Sequence, residues 1–129
     1  MEPLIINPSN ETPEVILDPE KALYSIKGHS FPEDVSKYYM PIIQWFKDNA
    51  KNIKHQICLR LDFDYINSAS TKILMDIFHV LEEETKDSEN EAAIYWLYDE
   101  DDNDNLDQGR FYEKLLNIKI YLEPKTDLK

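Results

Sequence analysis

The stretch from Asp64 to Lys72, DYINSASTK, gathers side chains that accept or donate small groups. Ser68, Ser70 and Thr71 follow Asn67 with no glycine among them, where a strand-like run gives way to the strongest helical pattern in the chain. Asn67, Ser68 and Ser70 are each able to satisfy an orphan amide at the helix start, worth about 1 kcal/mol. Capping leaves Lys72 unexplained. It lies in the first turn, where the helix dipole disfavours a cation by roughly a few tenths of a kcal/mol. An anion at this helix start reverses that sign, and a phosphoryl group on Ser68 would be such an anion.

Other groupings are weaker. Asp62 and Asp64 share one face of a strand, and as a carboxylate pair they could hold magnesium or serve a metal-dependent hydrolase; exposed alternate positions at a strand end are the simpler reading. His29, His55 and His79 are scattered, without ligand spacing, and are expected to face solvent. Cys58 is the single cysteine, so it forms no internal disulfide, and its apolar run suits a small buried hydrophobe. The stretch Asp99 to Asp107 holds six acids in nine residues. A calcium loop of the helix-flanked kind needs Gly at its sixth position and Glu at its twelfth, where this run has Asp104 and Arg110, so it reads as a solvated, mobile loop.

The elements that must position these residues follow from hydrophobic periodicity. Glu14 to Leu17 and Ala22 to Lys27 read as a hairpin across Asp18-Pro19-Glu20. Ser30 stands at capping-box spacing from Glu33, ahead of a helix whose apolar face carries Val35, Tyr38, Tyr39, Ile42, Ile43, Phe46 and Ala50, kinked or broken at Pro41. Ile57 to Phe63 is expected as a central strand. Ser68 to Glu84 is expected as a helix with Ile73, Leu74, Ile77, Phe78, Val80 and Leu81 in one apolar arc. Met75 falls outside that arc, so it is expected to be exposed, on the same side as Ser68. Ala92 to Tyr98 is a further strand, Leu106 to Leu116 a helix and Ile118 to Leu122 a last strand. The order β-β-α-β-α-β-α-β predicts an α/β domain with a mixed sheet of four to five strands and helices packed on it.

Composition bounds what such a fold does. With 129 residues the chain is expected to form one domain over 1–129, its core about 12–123. Leu, Ile, Val and Phe make up 35 of the 129 residues, enough for a folded core. Lys and Arg number 14 against 26 Asp and Glu, a net charge of -12, which repels nucleic acid and anionic membrane surfaces. With Gly28 and Gly109 the only glycines, no glycine-rich phosphate loop exists and no cofactor is expected. No run of about 18 apolar residues is present and MEPLIINPSN is unlike a signal peptide, so a cytoplasmic location is expected.

Four segments together resemble the SiaC-type bacterial regulatory phosphoproteins: TPEVILDP, SFPED, YINSASTK and ILMDIFHVLEE. Tyr65 to Glu83 is the specific part. The family is similar in layout to STAS (anti-sigma factor antagonist) domains, although Asn67-Ser68-Ala69-Ser70 stands in place of the D-S-[ST]-G common there. The resemblance implies a non-catalytic partner switch in bacterial signal transduction, of the biofilm or cyclic-di-GMP kind. A dedicated protein kinase would phosphorylate Ser68, a position often threonine in the family, and a metal-dependent protein phosphatase would remove the group. The unphosphorylated protein would bind an effector, in the family a diguanylate cyclase. The surface expected to meet partners is Asn67, Ser70, Thr71, Lys72 and Met75 around Ser68.

Overall fold

The computed structural model describes residues 1–125. Its strands are β1 (Leu4–Ile6), β2 (Glu14–Asp18), β3 (Leu23–Ser30), β4 (Cys58–Ile66), β5 (Ala93–Asp99) and β6 (Lys119–Lys125), and its helices α1 (Val35–Asn49), α2 (Ser68–Thr85) and α3 (Asn103–Leu115). All six strands form one sheet in sequence order. The first three pair antiparallel, and β3 to β6 pair parallel. The expected mixed α/β sheet is present, but with six strands rather than four or five. The additional strand, β1, is only three residues long inside the proline-dotted lead-in, too short to show a period of two.

The hairpin turns where Asp18 Oδ1 accepts the amides of Glu20 and Lys21 at 3.0 and 3.2 Å. Gly28 adopts φ +127° just where the β3/β4 register shifts between Gly28 and His29, a conformation that a side chain would strain. Period-2 burial then stacks one face. Val15, Ile26, Leu61 and Trp96 form one row across the sheet, and Leu17, Tyr24, Leu59, Ile94 and Ile120 the next, all buried. The helices cover this face, α1 against α2, with Tyr112 of α3 edge-on to Phe78 of α2 at 4.9 Å between ring centroids. Ile16, Ser25, Arg60, Tyr95 and Tyr121 line the opposite, uncovered face.

Several local expectations need correction. α1 is capped by Asp34, whose side chain accepts the Lys37 amide at 3.1 Å, not by a Ser30–Glu33 box. Ser30 is the buried last residue of β3. Pro41 sits inside an unbroken α1; it removes one backbone bond, while Tyr39, Ile42, Ile43, Trp45 and Phe46 keep the stripe buried on both sides of it. The acidic run is not a loop throughout: Asp99 ends β5, Asp102 caps α3, and Asn103 to Asp107 form its opening turns. Carboxylates at a helix N-terminus complement the dipole, so acid-rich sequence and helix are compatible there. His55 is half-buried and bonded to the Tyr24 hydroxyl at 2.8 Å, while His29 and His79 are exposed as expected. Cys58 is half-buried rather than a core residue.

Candidate functional site

β4 delivers the chain to α2 at the carboxyl ends of the parallel strands, where α/β sheets commonly place their sites. The Asn67 amide donates to Ser30 O at 2.9 Å, so the turn is anchored to β3. Asn67 is the N-cap, its side chain accepting the Ser70 amide at 2.9 Å. Ser68 is therefore the first residue of α2, and it is exposed. The Thr71 hydroxyl donates to Ser68 O at 2.7 Å; Lys72 is exposed beside it.

Beneath this turn runs a chain of buried hydroxyls. Ser30 Oγ lies 2.5 Å from the Tyr39 hydroxyl and donates to Ser70 Oγ at 2.8 Å; Ser70 in turn donates to Ser30 O at 3.2 Å. Burial pushes the Tyr39 phenol up to about 12, so it stays protonated as a donor throughout the physiological range. Ser70 is fully buried. It is thus not the partner contact expected from sequence: its hydroxyl locks the first turn of α2 to β3 and α1. Met75 is also corrected. It is half-buried and packs against the core, so the buried face of α2 is wider than its apolar arc.

Ser68 stands on the rim of a cleft of about 330 Å³. One wall is the end of β4 and start of α2, with Phe63, Asp64, Tyr65, Ile66, Ser68 and Thr71; the other is the start of α3, with Asp102, Asp104, Asn105 and Gln108. The Tyr112 hydroxyl donates to Thr71 O at 2.6 Å, which ties the last turns of α3 to the first turn of α2. Burial raises the Tyr112 pKa well above its ordinary value. Beside the cleft, exposed Phe31 and Tyr65 meet edge-on at 5.6 Å between centroids. Sequence reasoning missed this aromatic pair and the α3 wall. The pair is made by the parallel pairing that sets His29 opposite Tyr65, which no local pattern announces.

Asp62 and Asp64 diverge in environment. Lys125 Nζ lies 2.6 Å from Asp62 Oδ1 and donates to Phe63 O at 3.1 Å, whereas Asp64 opens onto the cleft. Among the described residues no three histidine, cysteine or carboxylate side chains are grouped to hold a metal ion, and no helix is long and apolar enough to cross a membrane.

Residues 6–125 match the SiaC family regulatory phosphoproteins. The chain belongs to that family. It is 28% identical over 99 residues to an uncharacterized protein of Pseudomonas aeruginosa, covering 77% of this chain and 78% of that one. Its fold is similar to that of apo-SiaC from Pseudomonas aeruginosa, with a TM-score of 0.82 and 23% identity over 95% of this chain and 99% of that one. It is also similar to a chain in the crystal structure of the diguanylate cyclase SiaD with its activator SiaC, with a TM-score of 0.85 and 22% identity over 95% and 99% of the two chains. Membership of the SiaC family makes the chain a regulatory phosphoprotein. Of the three hydroxyls at the start of α2, Ser68 is exposed, Thr71 half-buried and Ser70 buried.

Proposed function

We propose that this protein is a non-catalytic, phosphorylation-controlled partner switch of one domain, cytoplasmic, with Ser68 as the phosphoacceptor in a STAS-like strand-to-helix turn. A cognate kinase adds the phosphoryl group, a metal-dependent phosphatase removes it, and the unphosphorylated form binds an effector. A diguanylate cyclase is the effector that the SiaD–SiaC complex of Pseudomonas aeruginosa suggests. The observation that carries the reading is the exposed Ser68 hydroxyl, first in α2 and backed by a locked turn, where two enzymes can reach it without unfolding the helix. Asn67, Thr71 and Lys72 surround it as the contact surface, with Met75 contributing only its accessible side.

The switch is electrostatic and steric. A phosphoryl group adds about -1.5 to -2 charges. The α2 dipole favours it slightly, but a partner covering Ser68 must desolvate a dianion, which costs about 3 kcal/mol or more, over roughly a hundredfold in affinity. No large conformational change is required. Mass spectrometry of protein from the native cell is the direct test, with phosphate on Ser68 expected. Titration with the cyclase should then show Ser68→Ala binding constitutively and Ser68→Asp far more weakly; equal affinities refute the switch.

A further inference from the structure

The cleft that Ser68 borders is rich in acceptors and holds no cation. Asp64, Asp102 and Asp104 line it, and no Lys, Arg or His does. Asn105 also lines it while only 9% exposed; its Nδ2 donates to Leu97 O at 3.4 Å, and its buried Oδ1 has no hydrogen-bond partner. A buried acceptor left unanswered is rare in native structures, and an ordered water or an ion is what ordinarily answers it. Lys125, the cation on the neighbouring strand end, is held by Asp62.

Phosphorylation sharpens this imbalance, because about two further negative charges would arrive where the cation beside Ser68 is the single, exposed Lys72, which does not line the cleft. We propose that phosphorylation of Ser68 completes a site for a divalent cation of the magnesium type, formed by the phosphoryl oxygens with Asp64, Asp104 and the amide oxygen of Asn105. Such ions take hard oxygen ligands and typically join one or two carboxylates to a phosphate. Among the described residues no cluster of side chains is grouped to hold a metal ion without the phosphoryl group, so cation binding in this cleft reports the state of the switch. The inference rests on Ser68 being the phosphoacceptor.

The test uses the full chain with phosphoserine installed at position 68 during synthesis, so its outcome is independent of whether a native kinase acts there. Mn2+ is the probe, read by broadening of the phosphoserine phosphorus resonance, with Mg2+ as competitor. The folded phosphoprotein should be broadened at a Mn2+ concentration roughly tenfold lower than a phosphopeptide spanning 64–72 requires. In a constant background of moderate salt, Mg2+ should raise its melting temperature more than that of the unphosphorylated chain. Asp64→Asn and Asp104→Asn should each reduce the advantage over the peptide, and both leave the Asp102 cap in place. Binding no tighter than the peptide, or unchanged when Asp64→Asn and Asp104→Asn are combined, overturns the cation site. Absence of phosphate on Ser68 in the native cell instead overturns the switch.

Discussion

Met75 illustrates how a single side chain is decided by its neighbours. Its helical angle sets it outside the α2 apolar arc, yet it packs on the core. Met75→Glu is therefore expected to lower stability by about 1–2 kcal/mol, since a charge is forced into a half-buried site; a shifted urea midpoint at unchanged slope is the check. Ser70 belongs to the same scale. Removing its hydroxyl in Ser70→Ala strips Ser30 of its acceptor inside a fully buried chain of bonds, for an expected loss of about 1–3 kcal/mol. The same variant should loosen the first turn of α2, seen as faster amide hydrogen exchange at Thr71 and Lys72.

The elements meet at two helix starts, and each has its own control point. Asn67→Ala removes the α2 cap and is expected to cost about 1 kcal/mol, with Ser68 still exposed. Gly109 governs α3. A Cβ there would lie 2.6 Å from Trp96 Cδ1 and 2.7 Å from Leu122 Cδ2, and Trp96 has no room to yield because its Nε1 donates to Asn105 O at 2.9 Å. Gly109→Ala should then push α3 off the sheet, cost about 1–3 kcal/mol, and displace the Asp102 to Asn105 wall of the cleft; thermal melting reads the first effect. The legible elements were those with long, regular apolar spacing, β4 and α2 above all. β1 escaped because three residues pair only by register with β2, and the start of α3 escaped because its opening turns are acidic and lean on Trp96 rather than on an apolar stripe.

For the whole molecule, pH is the simplest probe. The Tyr39 phenol is held protonated to about 12 in the folded chain, while an unfolded tyrosine loses its proton near 10. The folded state thus keeps a proton that the unfolded state has already lost. Its stability contribution is fully present below about pH 10 and declines as pH rises towards 12. Denaturant titrations across that window should show stability falling, and Tyr39→Phe should make the decline shallower; an unchanged slope would mean that Tyr39 ionises freely. The net charge of -12 adds self-repulsion at neutral pH, so moderate salt should raise the melting temperature.

Periodicity, capping residues and charge sufficed by themselves to determine the α/β class, the strand-to-helix turn at Asn67-Ser68 and the exclusion of phosphate loops, because each is a local pattern or a sum over residues. Only the tertiary structure decided which hydroxyls of that turn are usable: Ser68 faces solvent, while Ser70 is buried against Ser30 and Tyr39. It also decided what surrounds Ser68. Asp64, Asp104 and Asn105 lie up to 41 residues apart in sequence and share one cleft because parallel β4 and β5 end on the same side of the sheet. Long-range pairing of this kind leaves no mark on local spacing, so no reading of the chain residue by residue reaches it.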